Sequence, residues 1–344
     1  MLMLRFLIHS FASPAGLSIS DHELSALAPI LLDSGAGALG WQVVRNSALR
    51  DSPIAHELHQ AYRLHTLQAA VHERELSQLF TFLNQNNFAP LLGKGWAIAR
   101  QYPEAGLRPY GDFDLYARPA EYHALEAALA SQSWNTDLHY AVPEMPDRDF
   151  ETMHARSQLV ACQGTHVRVL SPEDHLRLLC LHMLREGALR PLWLYDLAIA
   201  LRTLPPGFDW ETFLSGDPRR SDWAVCALGL AHELLGADVT GLPIEARAKN
   251  LPRWLAPEVL REWGTGKVTH GRRAPLASQL RNPAGLLAAL KERWPNKIEA
   301  SFRVNAPFNN FPRLPYQLLE CAQRLFSFVR QAPKLWRKES VIMK

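Results

Sequence analysis

Two carboxylates set two residues apart are the first chemistry the chain offers. Asp112 and Asp114 flank Phe113 in the segment Arg108-Pro109-Tyr110-Gly111-Asp112-Phe113-Asp114-Leu115-Tyr116. On a β-strand, residues two apart point to the same face, so both acids would share one side while Phe113 and Leu115 enter the core. Burying two like charges side by side is unfavourable unless a cation sits between them. Magnesium takes oxygen ligands and is held by one or two carboxylates together with substrate phosphates. The spacing therefore predicts a metal–nucleotide site for Mg²⁺, with Mn²⁺ as the alternative ion. Upstream, Leu91-Leu92-Gly93-Lys94-Gly95-Trp96-Ala97 reads as a strand, a glycine turn and a helix start. Gly93 and Gly95 are expected to let the backbone approach phosphates, with the free N–H groups of the following helix turned toward the anion. Lys94 and Arg108 are candidate cations for a triphosphate. Downstream, Asp137 in Asn135-Thr136-Asp137-Leu138-His139 is the candidate third carboxylate on a neighbouring strand, and His139 shares its face.

Each of these residues also has a plainer reading. Asp112 and Asp114 could cap a turn, Asp137 could be an exposed strand acid, and His139 a hydrogen-bonded structural histidine. Lys94 could face solvent, and Arg108 could anchor its own loop through a salt bridge. What favours chemistry is the combination of a glycine turn, a D-x-D strand and a later strand acid.

A small sheet must position these groups. Segment 88–92 fits a buried strand, 96–101 a helix, 113–117 a second strand, 119–131 an amphipathic helix and 136–142 a third strand. Segment 143–157 reads as a polar loop, and 159–162 with 166–170 as a hairpin around Gly164. Before the sheet, 22–33 and 54–85 read as helices, the second with Leu58, Tyr62, Leu64, Leu67, Val71, Leu76, Leu79, Phe80 and Leu83 at threes and fours. Asn84, Asn86 and Asn87 should end it. Ser171-Pro172-Glu173-Asp174 is a helix start with a capping hydroxyl, a first-turn proline and acids at the positive end of the dipole. From 172 onward the pattern is helical, with breaks at 205–207, 216–218, 243, 252 and 264–275. The expected fold class is α+β: an N-terminal helical region (1–87), a core around a small mixed sheet of four or five strands (88–170), and a C-terminal helical domain (171–344).

Composition narrows the partners. The 344 residues are 47% hydrophobic and carry a net charge of only +3, too weak a bias to argue for nucleic acid or an anionic membrane as a general partner. Cys162, Cys180, Cys226 and Cys321 are far apart with no CxxC pair, so all four read as reduced, structural thiols of a cytoplasmic protein. The opening MLMLRFLIHSFASPAG is too short and too interrupted, by Arg5 and His9, to read as a secretory signal. No apolar run reaches the ~18 residues a membrane helix needs. His175 and His182 lie two helical turns apart without the convergent ligands zinc requires. Asp196 is expected to pack a helix against the core. Trp193, Trp210, Trp223 and Trp263 are expected in the core, and Lys267, His270, Arg272 and Arg273 in a solvated loop.

The order of glycine turn, D-x-D strand and later strand acid resembles the DNA polymerase beta nucleotidyltransferase superfamily. More closely, Leu92-Gly93-Lys94-Gly95, Tyr102-Pro103, Gly106-Leu107-Arg108-Pro109, Gly111-Asp112-Phe113-Asp114-Leu115 and Asp137-Leu138-His139 resemble the uncharacterised nucleotidyltransferases. Their pattern runs L-L-K-G, Y-P, R-P-x-G-D-x-D-L-L-V and D-L-H-W. Segments 171–176, 179–182 and 193–198 are similar to that family's S-P-E-D-x-L, L-x-L-H and W-L-x-D-L-A, so the resemblance runs from about residue 40 to 200. Departures are Gly93 in place of an aliphatic, Asp114-Leu115-Tyr116-Ala117 for D-L-L-V, and His139-Tyr140 for H-W. The wider superfamily has Gly-Gly or Gly-Ser where this chain has Lys94-Gly95.

The resemblance implies an enzyme that transfers a nucleoside monophosphate from an NTP, with ATP the expected donor, to a hydroxyl or phosphate, releasing pyrophosphate. Asp112, Asp114 and Asp137 would be its metal-binding and catalytic acids. Gly93, Lys94, Gly95, Arg108 and His139 would contact the nucleotide. The acceptor, whether small molecule, peptide or RNA, is left open, and no membrane partner is expected. Two alternatives stand beside it: a non-catalytic nucleotide-binding or regulatory module, and a toxin-like modifier of tRNA or protein.

Overall fold

The structure, a computed structural model, describes residues 6–8, 10–11, 19–264 and 293–327. The basic group Lys267, His270, Arg272 and Arg273 and most of segment 1–16 lie outside these residues.

Among the described residues, α1 (Asp21–Asp33), α2 (Gly37–Val44) and α3 (Pro53–Gln85) precede the sheet. Ser20 and Glu23 form a reciprocal capping box at α1, satisfying N–H groups that a helix start leaves free. Ser52 caps α3 and Pro53 takes its first position, where a missing N–H costs nothing. The asparagine cluster ends α3 as expected, with Asn86 as C-cap. The apolar spacing of α3 proves only partly a burial pattern. Leu58, Leu76, Leu79, Phe80 and Leu83 are buried, whereas Leu64, Leu67 and Val71 are exposed along its middle.

The five strands are β1 (Leu91–Gly93), β2 (Phe113–Ala117), β3 (Thr136–Tyr140), β4 (Gln158–Cys162) and β5 (Thr165–Val169). They form one mixed sheet in the order β3-β2-β1-β5-β4, in keeping with the expected α+β class. β1 runs antiparallel to β2 and parallel to β5, β2 runs parallel to β3, and β4–β5 is the expected hairpin. Gln163 and Gly164 both have positive φ, which gives this two-residue loop the twist a hairpin needs. Phe113, Leu115 and Ala117 alternate onto one face, where they join Leu76, Leu79, Phe80 and Leu83 of α3 and Val167 and Val169 of β5 in the core. Each Leu or Phe so covered contributes about 1.5–3 kcal/mol. Asp114 and Tyr116 are thereby turned to the opposite face.

Helices α4 (Gly95–Ala99) and α5 (Tyr122–Leu129) follow β1 and β2. Within 143–157, read as a loop, the chain makes α6 (Phe150–Ala155), where Asp149 accepts the Thr152 N–H at 2.8 Å. This helix is too short to show a period in the sequence.

After β5 come α7 (Pro172–Arg185), α8 (Pro191–Arg202), α9 (Trp210–Leu214), α10 (Pro218–Leu235), α11 (Glu245–Ala248), α12 (Leu255–Gly264), α13 (Lys297–Arg303) and a helix over 314–327. Ser171 caps α7 through the Asp174 N–H as expected, but Asp174 is fully buried beneath Arg148 and Arg156. By compactness, one unit comprises residues 1–183 and 190–251, with the sheet and the helices on either side of it in sequence. A second comprises 184–189 and 252–344. None of the described helices is long and apolar enough to cross a membrane. All four cysteines are free thiols.

Candidate nucleotide and metal site

The site begins where β1 turns into α4. Lys94 is the N-cap residue of α4, with φ 49° and ψ −141°. Side-chain-bearing residues seldom adopt that conformation, and holding one there costs on the order of 1–3 kcal/mol. Its side chain is buried, with Nζ 2.5 Å from Oδ1 of Asp114 and 5.9 Å from the centre of the Tyr116 ring. The turn and the acid strand are thus tied by an ion pair between adjacent strands, in which Gly93 sits opposite Asp114.

On the other side of β2, parallel pairing sets Asp114 beside Asp137 and Tyr116 beside His139. All four side chains share the face opposite the α3 core. The His139 ring stacks on Tyr116 at 5.0 Å, which places Nε2 3.2 Å from both Asp114 Oδ1 and Asp137 Oδ2. Burial would push the Asp114 carboxyl up, but the His139 hydrogen bond and the Lys94 charge outweigh it and hold Asp114 below its ordinary range. Asp112 behaves oppositely. β2 starts only at Phe113, so Asp112 stands just before the strand, exposed, on a backbone steadied by Asn135 Nδ2 donating to the Gly111 carbonyl at 2.6 Å. Partial desolvation and the negative charges of Asp114 and Asp137 raise its carboxyl above the usual value. Asp137 is also open, its side chain 56% exposed.

A cation fits this donor set. Ligand atoms of Asp114, Asp137 and His139 all lie within 4.8 Å of one another, a convergence the sequence reading had assigned to Asp112, Asp114 and Asp137. Asp114 Oδ1 is engaged by Lys94 and His139. Crowded carboxylate oxygens are the ligands Mg²⁺ and Mn²⁺ accept, and an imidazole nitrogen suits Mn²⁺ better than Mg²⁺.

Lys94, Asp112, Asp114 and Asp137, but not His139, open onto a cleft of about 490 Å³, within the range of small-molecule sites. All of its lining belongs to the first compact unit, including the C-terminal end of α1, His65 of α3, and α7 and α8. Lys94, Gly95, Arg108, Asp112, Asp114 and Asp137 line it. Gly93 does not. A Cβ there would stand 2.8 Å from both Tyr116 Cε2 and Leu178 Cδ2, so this glycine admits packing neighbours rather than phosphate.

Arg108 points its fork at Asp196. Nη2 donates to Oδ2 at 2.8 Å and Nε to Oδ1 at 3.1 Å, while Nη1 donates to the Pro109 carbonyl. Burial works against the charge, but the Asp196 carboxylate more than offsets it and keeps the guanidinium above its ordinary range. Tyr102 Oη donates to the same carboxylate at 2.7 Å. The loop-anchoring reading of Arg108 and the packing role of Asp196 thus meet in one buried pair.

Other wall residues were not singled out as site residues. His65 lines the cleft from α3, and its Nδ1 is buried without a hydrogen-bond partner among the described residues. His182 and Trp193 pack edge to face at 5.1 Å, and both line the cleft, so Trp193 is not the core residue expected. Trp223 and Trp263 are buried as expected, and Trp210 is half-buried. The signal for His182 and Trp193 was present in the L-x-L-H and W-L-x-D-L-A segments. His65 had none.

No curated protein and no solved structure is significantly similar to the chain. The family described as uncharacterised nucleotidyltransferase matches residues 34–147 and 136–236, which together take in all five strands and nearly all of the cleft. With more than half of its length matched, the chain belongs to the uncharacterised nucleotidyltransferases.

Proposed function

We propose that the protein is a metal-dependent nucleotidyltransferase that moves a nucleoside monophosphate from an NTP, with ATP as donor, to a hydroxyl or phosphate oxygen of its acceptor. The acceptor oxygen bonds to the α-phosphorus, the bond from that phosphorus to the bridging oxygen breaks, and pyrophosphate leaves. The observation that carries this reading is the convergence of Asp114, Asp137 and His139 beside Lys94 at the wall of a nucleotide-sized cleft. Asp112, Asp114 and Asp137 would hold Mg²⁺, which neutralises phosphate charge and supports in-line displacement. Asp114, kept ionised by Lys94 and His139, is the fixed ligand, and Asp112 and Asp137 complete the set from the open side. Lys94 and the N-terminus of α4 present positive charge to the phosphates. Asp137, whose side chain is 56% exposed, is an acid that an incoming acceptor oxygen can reach.

The Lys94–Asp114 contact also favours a second reading, a nucleotide-binding module without turnover, because the ammonium already neutralises the central acid. Calorimetry with a non-hydrolysable ATP analogue, with and without Mg²⁺, on wild type and Asp112→Ala separates the two. Magnesium-dependent binding lost in the variant supports the transferase, and analogues of GTP, CTP and UTP then rank the base. Tight binding indifferent to Mg²⁺ favours the module. No binding of any of the four nucleotides refutes both.

A further inference from the structure

Helices α4, α7 and α8 reach a second cavity with the ends they do not present to the nucleotide cleft. Lys94 and Gly95, Leu179 and His182, and Trp193 and Asp196 line the cleft. Arg100, His175 and Thr203, one beyond or on each of the same three helices, line the second cavity. It measures about 220 Å³, the liquid volume of about seven waters at ~30 Å³ each. Its walls mix apolar residues, Leu170, Leu176 and Leu204 among them, with polar ones in about equal measure, and no described acidic side chain lines it.

Two groups in it lack the partners such groups normally have. His175 is 6% exposed, yet its Nε2 has no hydrogen-bond partner among the described residues. Buried polar atoms are nearly always satisfied by protein, water or ligand. Burial, reinforced by the charges of Arg100 and Arg108, keeps this ring neutral, so Nε2 offers one hydrogen bond and no charge. Arg100 stands at the cavity with its guanidinium 6.0 Å from the Trp96 ring centre, and no described residue forms a hydrogen bond or ion pair with it. The hydroxyl of Thr203 donates instead to Gln101 Oε1 at 2.7 Å. A cavity with an apolar part to its wall, an unspent planar cation and one unspent neutral hydrogen-bonding group has the complement of a specific kind of molecule. Guanidinium matches carboxylate in a bidentate fork, and few polar groups in an apolar pocket fix a ligand's orientation.

We propose that this cavity binds a small organic carboxylate with an apolar body, its carboxylate held by Arg100 and a single hydroxyl or carbonyl of the body hydrogen-bonded to His175 Nε2. The site is separate from the nucleotide cleft and stands whether or not the transferase reading does.

Ligand-observed NMR and calorimetry on the full chain test it with benzoate, 3-hydroxybenzoate, 4-hydroxybenzoate and inorganic phosphate. At least one hydroxybenzoate is expected to bind more tightly than benzoate. Arg100→Gln, at an exposed position, should weaken it at least tenfold while leaving the melting temperature unchanged. His175→Phe, which keeps a flat ring, should erase the advantage of the hydroxyl. Binding should persist in Asp112→Ala and in the presence of Mg²⁺ with the ATP analogue. The proposal is overturned if no benzoate binds at millimolar concentration, if Arg100→Gln binds as well as wild type, or if the nucleotide displaces the ligand. Binding of phosphate alone, or equal affinity for benzoate and both hydroxybenzoates, overturns it as well.

Discussion

The ammonium nitrogen of Lys94 lies 2.5 Å from Oδ1 of Asp114, and this one contact joins the β1–α4 turn to the strand that carries the acids. It explains how a lysine is held in a backbone conformation that costs energy, and it makes the two candidate ligands Asp112 and Asp114 unequal in their structural roles.

Removing Asp114 leaves a buried ammonium without its partner, and breaking such a pair costs about 3 kcal/mol or more. Asp114→Ala is therefore expected to lose both turnover and stability. Asp114→Ala with Lys94→Met should recover much of the stability and none of the activity. Asp112→Ala, at an exposed position, should change stability by no more than about 0.5 kcal/mol while abolishing turnover. Urea unfolding alongside pyrophosphate release measures both. Full activity in Asp112→Ala would sink the proposed mechanism.

The Arg108–Asp196 pair should behave as a structural unit. Either Arg108→Met or Asp196→Ala strands a buried charge and should cost about 3–5 kcal/mol, and the double variant should lose less than the sum. A double-mutant cycle by chemical denaturation reads this coupling. Additive losses would show that the contact is not energetically coupled.

Gly93→Ala is expected to fail by packing. Its new methyl would meet Tyr116 and Leu178 at 2.8 Å, an overpacking worth about 1–3 kcal/mol. Nucleotide affinity per folded molecule should stay close to wild type. A large loss of affinity with unchanged melting temperature would instead return Gly93 to the phosphates.

His175 predicts an acid sensitivity. Its folded-state pKa is pushed down to about 3, mainly by burial, from an ordinary 6.5. The unfolded chain then binds the proton that the folded chain refuses, so stability rises with pH between about 3 and 6.5 and is flat with respect to this group above that. The slope from one such group is about 1.4 kcal/mol per pH unit. Denaturation between pH 5 and 7 should show it in wild type, and His175→Phe should remove it. The same slope in the variant would assign the sensitivity elsewhere.

What could be read in the sequence was whatever depends on near neighbours along the chain. The strand at 113–117, the hairpin around Gly164, the start of α7 and the end of α3 all follow from two-residue alternation, turn chemistry and caps, which are local properties. α6 was missed because six residues hold less than two turns. Leu64, Leu67 and Val71 have the spacing of a buried stripe, but spacing says only that a face exists and not that anything covers it.

The sequence by itself determined the α+β class and the resemblance to a nucleotidyltransferase. It also determined that Asp114 would face away from Phe113 and Leu115, because alternation along a strand admits no other arrangement. Tertiary structure alone decided what each candidate meets. Arg108 turns to Asp196, 88 residues away, Lys94 bends back onto Asp114, and Gly93 lies against Leu178 of α7. Those outcomes depend on which elements pack together, and side-chain type and spacing within one element carry no information about a partner that arrives from another.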